Sequence, residues 1–291
     1  MPRPNLFDPA NFDPARVAPN DAVIFDDSGY LSDGGIGDPQ ALGYTQAYLD
    51  AWLESEFAWA GLSWLVWDVD TQFPDATYFY AMNSAVTTPQ GTTHYADHGF
   101  QGGAGSEVII DASGDNVVAS GGGADLILLG TGANFVDAGA GDDVVITGAA
   151  QDVVALGSGN DWLWAGAGDD TVRAGSGDDT VLGREGADTI AGGAGRDRID
   201  GGADNDLLFG GDDGDVFVFG AGSGSDVIRD FQTGLDVIEI DSATGIGSFN
   251  DVLAAASRAG RSTLIELGNG DEILLHGVRM QDLSAADFDF V

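Results

Sequence analysis

The sequence of 291 residues predicts a mainly β protein whose centre, residues 102–218, is a parallel β-roll, a flattened solenoid. Three observations predict this fold class. Glycine recurs with a nine-residue period through the centre, each period carries a short β-forming run, and the period stops at both ends. The flanks are predicted to be a small α+β N-terminal domain, residues 1–101, and a β-rich C-terminal cap, residues 219–291.

The repeat begins at Gly102, and thirteen nine-residue blocks follow without insertion or deletion to Val218. One block reads Ala138-Gly-Ala-Gly-Asp-Asp-Val-Val-Ile146. The second place is glycine in eleven blocks, the fourth is glycine in ten, and the eighth is apolar in all thirteen. A disordered Gly-Asp tract would not keep an apolar residue at one place in every block, so the pattern indicates an ordered solenoid.

Each place in the block has a physical role. Glycines two residues apart allow a tight turn whose carbonyl groups converge. The three residues after the sixth place form a strand, in which the eighth side chain points inward and its two neighbours point outward. Two blocks therefore make one coil of turn, strand, turn and strand, and residues eighteen apart stack on one edge.

The sixth-place residues form two edges of stacked polar side chains. The first edge carries Glu107, Asp125, Asp143, Asp161, Asp179, Asp197 and Asp215, and the second carries Asn116, Asn134, Asp152, Asp170, Asp188 and Asp206. Stacked strands lie about 4.8 Å apart, so these carboxylates repel one another unless a cation neutralises them. Oxygen ligands without cysteine select a hard cation, and calcium accepts six to eight oxygens in adaptable geometry.

The composition supports cation binding. The chain has 48 acidic residues against ten basic residues, all arginine, and a net charge of −38. This charge argues against nucleic acid as a partner. A salt-adapted acidic surface would also explain it, but the regular spacing favours cation ligation. There is no cysteine, and no run approaches the ~18 apolar residues that span a bilayer. The start lacks the apolar run of a cleavable signal peptide, so we expect any export signal to lie elsewhere.

The blocks resemble the repeats-in-toxin (RTX) nonapeptide, Gly-Gly-x-Gly-x-Asp-x-apolar-x, across residues 102–218. The strict Gly-x-Gly-x-Asp pattern occurs in the blocks of Asp125, Asp143, Asp161, Asp170, Asp179 and Asp197. The resemblance implies that calcium binds to the turn aspartates and to turn carbonyls of neighbouring coils. The implied glycines are Gly121, Gly123, Gly139, Gly141, Gly157, Gly159, Gly166, Gly168, Gly175, Gly177, Gly193 and Gly195.

Four blocks depart from the pattern, although their aspartates remain candidate ligands. Glycine is replaced by Ala150, Arg184, Asp204 and Asp213 in the blocks of Asp152, Asp188, Asp206 and Asp215. Asn116 and Asn134 carry no charge, so we expect their turns to bind calcium weakly or not at all.

The segment after the repeats is predicted to cover the end of the solenoid with two strands within Gly224–Ile240, a helix over Phe249–Ser257 and a hairpin of Ser262–Leu267 with Glu272–His276. Asp226-x-Ile-x-Asp-Phe231 and the following Gly234-x-Asp236-x-Ile238 resemble the region that follows the repeats in serralysin-type secreted proteases. The ending Asp287-Phe-Asp-Phe-Val291 resembles the signal of type I secretion substrates, although it could be a simple terminal strand.

Residues 1–101 resemble no family. They predict a helix from Asp38 toward Gly61 and strands over Leu62–Val69 and Thr77–Met82. His94-Tyr-Ala-Asp-His98 could hold a metal but is predicted to be a polar loop. The His-Glu-x-x-His zinc motif and the Gly-x-Ser-x-Gly elbow are absent from the sequence.

The predicted function is that of a secreted, extracellular or cell-surface calcium-binding protein with a structural, matrix or adhesive role and no catalytic residues. Its expected partners are several calcium ions, the type I secretion machinery, and cell-surface or matrix components or further copies of itself. The alternative is a secreted enzyme with its catalytic site in residues 1–101, for which the roll is an export and folding module.

Overall fold

The computed structural model describes residues 98–291 and four short strands before them: β1 (Ala22–Asp26), β2 (Thr77–Phe79), β3 (Ala85–Thr87) and β4 (Thr93–Tyr95). The predicted helix after Asp38 and the predicted strand Leu62–Val69 lie outside the described residues. Of the predicted strand Thr77–Met82, residues Thr77–Phe79 form β2, and residues 80–82 lie outside the described residues. His94 lies in β4 rather than in the predicted loop, because β4 pairs antiparallel with β3.

The predicted repeat strands are confirmed. After β5 (His98–Gln101), each of the thirteen nonapeptide blocks forms one strand. These are β6 (Glu107–Ser113), β7 (Asn116–Gly122), β8 (Leu126–Thr131), β9 (Phe135–Ala140), β10 (Val144–Ile146), β11 (Val153–Ser158), β12 (Trp162–Ala167), β13 (Thr171–Ser176), β14 (Thr180–Glu185), β15 (Thr189–Ala194), β16 (Arg198–Ala203), β17 (Leu207–Asp212) and β18 (Val216–Phe219).

The chain forms two compact units, Met1–Ala149 and Ala150–Val291. In the first unit, parallel strands in the orders β2-β1-β6-β8-β10 and β5-β7-β9 form two sheet segments. In the second unit, the orders are β12-β14-β16-β18 and β11-β13-β15-β17. The pairing joins residues eighteen apart, as in Ile109 with Ile127 and Val181 with Ile199. Two blocks therefore make one coil, as the sequence predicts.

The core consists of the eighth-place side chains, stacked between the two sheet segments of each unit. All thirteen are at most 1% exposed, from Ile109 in the first unit to Phe217 in the second. Phe100 precedes Ile109 by nine residues and is also buried, at 2% exposed. The nine-residue alternation therefore fixes which side chain of each strand enters the core.

Several side chains at the outward-pointing seventh and ninth places are buried rather than exposed to solvent. In the first unit, the seventh and ninth places of β8 and β10 hold buried Leu126, Leu128, Val144 and Ile146. In the second unit, the same places of β12 hold buried tryptophans, Trp162 and Trp164. The guanidinium carbon of Arg184 lies 3.7 Å from the centre of the Trp164 ring, so this cation covers one aromatic face.

The segment after the repeats forms the predicted strands, helix and hairpin. It contains β19 (Ser225–Ile228), β20 (Val237–Ile240), the helix Phe249–Ala255, β21 (Ala256–Ala259), β22 (Ser262–Glu266), β23 (Glu272–Leu275) and β24 (Phe288–Phe290), with 3₁₀ turns at Ser242–Thr244, Gly268–Gly270, Met280–Asp282 and Ala285–Asp287. The helix is capped by Ser248, whose side chain accepts a hydrogen bond from the Asp251 amide. It ends two residues before the predicted limit, because Ala256 begins β21.

Parallel pairing continues beyond the repeats. Strand β19 lies between β17 and β23, and β20 lies between β18 and β24. The hairpin of β22 and β23 is antiparallel, as predicted. The last strand, β24, shows that Phe288–Phe290 form a terminal strand in the folded chain, and the secretion signal in the same residues stays a prediction. No helix among the described residues is long and apolar enough to cross a membrane.

Candidate metal centre

The predicted turn glycines all adopt a left-handed backbone. The twelve have φ between 103° and 138°, a range that side chains disfavour. A Cβ on Gly177 would overlap the carbonyl oxygen of Gly159, eighteen residues earlier. Turn carbonyls of one coil therefore lie directly against the turn backbone of the next coil.

The turn shape persists where glycine is replaced. Ala150, Arg184, Asp204 and Asp213 have φ of 129°, 89°, 79° and 72°, and they are the only non-glycine residues with positive φ in the described part of the chain. These are the four replacements that the sequence identifies as departures from the repeat. The stacking of neighbouring coils therefore holds four strained residues in the glycine conformation.

The sixth-place aspartates form a hydrogen-bonded ladder along each edge. In the second unit, one carboxylate oxygen (Oδ1) of six of these aspartates, from Asp170 to Asp215, accepts a hydrogen bond from the backbone amide of the sixth-place residue one coil earlier. The donor–acceptor pairs on the second edge are Asp152–Asp170, Asp170–Asp188 and Asp188–Asp206, each at 2.8 Å. On the first edge they are Asp161–Asp179, Asp179–Asp197 and Asp197–Asp215, at 2.8, 3.0 and 2.9 Å.

The first unit repeats this arrangement on its first edge. The Glu107 amide donates to Asp125 Oδ1 at 2.7 Å, and the Asp125 amide donates to Asp143 Oδ1 at 2.8 Å. All ten predicted aspartates are at most 2% exposed. The structure therefore brings the predicted site residues of each unit together along its edges.

The second carboxylate oxygen, Oδ2, is the atom that could bind a cation. In Asp170, Asp188, Asp197, Asp206 and Asp215 this atom is buried and has no hydrogen-bond partner. Burial raises the pKa of Asp188 to about 8 and that of the other four to about 7, against an ordinary value of 3.8, although the backbone hydrogen bond to Oδ1 opposes the rise. In the folded chain without a metal, burial therefore disfavours the charged form of these groups.

The rest of the coordination shell has to come from the backbone. No three His, Asp or Glu side chains gather at one point within the described ranges. A cation at a turn would combine the Oδ2 atoms with the carbonyl oxygens of the stacked glycine turns. This all-oxygen set, which mixes carboxylates and carbonyls, fits calcium.

The turns of Asn116 and Asn134 in the first unit differ because asparagine carries a nitrogen donor where aspartate carries Oδ2. The side-chain nitrogen of Asn116 donates to Gly114 O at 3.1 Å, and that of Asn134 donates to Gly132 O at 2.9 Å. An amide group thus satisfies the turn carbonyl that a cation would otherwise contact. Sequence reasoning assigned these turns weaker binding from their charge alone, and the hydrogen bond adds a second reason.

Sequence reasoning missed two members of the ladders, Asp226 and Asp236. Asp226 Oδ1 accepts from the Asp206 amide at 2.9 Å, and Asp236 Oδ1 accepts from the Asp215 amide at 3.1 Å. Both precede Val-Ile, which matches the Asp-x-apolar order of the blocks, but they follow their partners by 20 and 21 residues instead of eighteen. Because of these extra residues, the nine-residue period did not identify Asp226 and Asp236 as ladder members.

A second ladder runs outside the first and was also not predicted. Fifth-place Asp or Asn side chains accept hydrogen bonds from the backbone amide one coil later, as in Asn160 Oδ1 from Asp178 and Asp169 Oδ1 from Ala187, at 2.8 and 3.0 Å. These side chains are exposed, and their bonds run opposite to those of the sixth place. The two ladders together fix the spacing of the turns.

The fold and these turns define a parallel β-roll with buried aspartate ladders. Residues 101–217 match the family model of the RTX calcium-binding nonapeptide repeat (4 copies) in overlapping stretches at 101–136, 121–154, 128–163, 147–181, 155–190 and 182–217. The centre of the chain therefore consists of RTX nonapeptide repeats, which bind calcium. The resemblance stated from the sequence is confirmed.

Among solved structures, the chain is similar to the extracellular lipase LipA from Serratia marcescens, with 16% identity and a TM-score of 0.34. The similarity covers 65% of this chain and 40% of that one, so this chain spans about 40% of the lipase's length. No curated protein matches the chain. The alternative catalytic site in residues 1–101 falls almost wholly outside the described residues.

Proposed function

We propose that this chain is a secreted calcium-binding protein whose roll folds when calcium binds, and that it serves a structural, matrix or adhesive role outside the cell. The observation that carries the proposal is the row of buried Oδ2 atoms without hydrogen-bond partners. A buried carboxylate oxygen without a partner costs several kcal/mol, on the order of the penalty for burying one ion, unless a cation compensates it.

The ligands in this proposal are the ten sixth-place aspartates and the carbonyl groups of the twelve turn glycines predicted from the sequence. The six strict blocks supply both kinds of ligand and are the strongest sites. The strained turns at Ala150 and Arg184 keep the same backbone shape, so their aspartates remain ligands. The asparagine turns stay metal-free.

The proposal includes export through a type I system and folding outside the cell. Extracellular calcium modules bind at about 10⁻⁴ to 10⁻³ M, far above the free calcium of a cytosol. Inside the cell, carboxylate repulsion keeps the roll open, and outside the cell metal binding supplies the folding free energy. The final residues form β24 in the folded protein, so the export signal is read before folding. The division into residues 1–101, 102–218 and 219–291 belongs to the same proposal.

Circular dichroism of the full chain tests the calcium requirement. In chelator at neutral pH we expect mostly unfolded chain, and millimolar calcium should restore the β signal. Magnesium at the same concentration should not, because it demands a strict octahedron and loses its water reluctantly. A β signal that chelator leaves unchanged, or equal restoration by magnesium, would overturn the proposal.

A further inference from the structure

A cleft of about 690 Å³ in the second unit gathers three of the chain's ten arginines, Arg258, Arg261 and Arg279. The chain carries 48 acidic residues. A local cluster of three arginines therefore contrasts with the negative charge of the chain as a whole. The cleft lies in the segment after the repeats and shares no residue with the aspartate ladders. Calcium binding therefore does not explain it.

The walls of the cleft are apolar. Phe249 and Leu253 lie one helical turn apart on the same face of the helix Phe249–Ala255, and Met280 and Leu283 face them. Leu253 is 37% and Met280 is 39% exposed, and these are two of the four large apolar side chains exposed in the described part of the chain. Exposed apolar surface concentrated in a concave site indicates a binding site.

The arginines retain free donor groups. Arg258 uses Nε to donate to Gly260 O at 2.8 Å, which leaves its two terminal nitrogens available. Arg279 forms a two-point pair with Asp282, at 2.7 and 3.0 Å. Arg261 has no ion-pair partner among the described residues. The rim can therefore offer guanidinium groups to an anion without breaking a buried ion pair.

The cleft is held in shape by contacts of its own. Thr263 Oγ1 donates to Val278 O at 2.9 Å in a buried hydrogen bond, and the Gly277 amide donates to Ser262 Oγ at 3.0 Å. These bonds fasten β22 to the segment that carries Arg279 and Met280. A ligand would therefore meet a site that is already formed, which lowers the entropic cost of binding.

From this arrangement we infer that the cleft binds a small anionic amphiphile, a carboxylate with an alkyl or aryl tail. Guanidinium groups match the geometry of a carboxylate, and the apolar walls accept the tail. The volume lies within the range of about 300–1,000 Å³ that is typical of small-ligand sites. A simple anion would gain too little to overcome repulsion from a chain of net charge −38, so both parts of the ligand are needed.

Chemical-shift titration of the calcium-loaded full chain with octanoate tests the inference. We expect shifts confined to residues 249–253, 258–262 and 279–283, which line the cleft, and a dissociation constant of about 1 mM or lower. Acetate, which lacks the tail, and octyl glucoside, which lacks the charge, should each bind at least about fivefold more weakly, because each loses one of the two contributions.

Variants separate the two contributions. Arg261→Gln should weaken octanoate binding about five- to tenfold by removing a charge-assisted donor, and Leu253→Ser should weaken it by a similar factor through loss of apolar contact. Arg173→Gln, an exposed arginine on β13, is the matched control and should leave binding unchanged. An unaltered spectrum of the roll shows that each variant folds.

Four results would overturn the inference: shifts outside the cleft, equal affinity for octyl glucoside, equal effects of Arg173→Gln and Arg261→Gln, or binding only to anionic vesicles and not to free octanoate. Because calcium saturates the chain throughout, failure of calcium-dependent folding would appear separately, as the absence of a folded spectrum before any ligand is added.

Discussion

Replacing Asp197 by asparagine should change the stability of the roll in opposite directions with and without calcium. Asp197 is 1% exposed, its Oδ2 has no hydrogen-bond partner, and burial raises its pKa from 3.8 to about 7. Asparagine keeps the Oδ1 acceptor for the Asp179 amide. Its nitrogen can donate to Gly195 O, as Asn116 donates to Gly114 O in the same place of its own block.

The magnitude follows from linkage between protonation and folding. A carboxyl group whose pKa is higher in the folded state destabilises the fold at high pH, and this penalty disappears as the pH falls below the unfolded pKa. A rise from 3.8 to about 7 corresponds to about 4 kcal/mol at pH 7 and above, as an upper bound. Without calcium, Asp197→Asn should remove most of that penalty. With calcium, it removes a charged ligand and should raise the calcium midpoint about tenfold.

The assay is the β signal in circular dichroism, measured in chelator from pH 8 to pH 4 and then against calcium at pH 7.5. In chelator, the parent should gain β structure as the pH falls from about 8 toward 4, because protonation of Asp188 and Asp197 in the folded state begins near their raised pKa values and the penalty is fully removed only below the unfolded pKa of 3.8. Asp197→Asn should gain it at higher pH. The exposed Asp212→Asn is the control and should follow the parent in both series. Destabilisation by Asp197→Asn in chelator would refute the reasoning.

Three further predictions concern single turns and the end of the chain. Asp179→Ala should raise the calcium midpoint more than Asn116→Ala, because Asn116 supplies no charge; equal shifts in calcium titrations would show that the sites are misplaced. Gly177→Ala should destabilise the calcium-loaded roll by about 3 kcal/mol or more in urea unfolding, whereas Ala150→Gly should stabilise it by about 1 kcal/mol; a harmless Gly177→Ala would contradict the stacked-turn geometry. Deletion of residues 287–291 should reduce the amount of chain in the medium of a host with a type I exporter. Undiminished export would show that these residues are not the secretion signal.

The repeat region was predictable from the sequence because one period governs its backbone and its burial together. The apolar eighth place fixes the inward face, and the two glycines fix the turn, so strands, coils and edges follow by counting. The turn survives even at Ala150 and Arg184, where the glycine signal is lost, because the neighbouring coils impose its shape.

The parts that escaped prediction depend on contacts that no period records. Asp226 and Asp236 join the ladders after insertions that change their spacing. Trp162 and Trp164 lie in outward places and are buried nonetheless. The arginine cleft brings residues 249–262 and 279–283 together through the fold of the segment after the repeats.

Anomalous diffraction from crystals grown in calcium tests the central claim most directly. The account predicts calcium peaks in the turns along both edges, each within about 2.3–2.6 Å of an aspartate Oδ2 and of turn carbonyl oxygens. It predicts no peak at the turns of Asn116 and Asn134, where the amide nitrogens contact the carbonyls. Aspartate turns without calcium, or equally strong peaks at the asparagine turns, would contradict it.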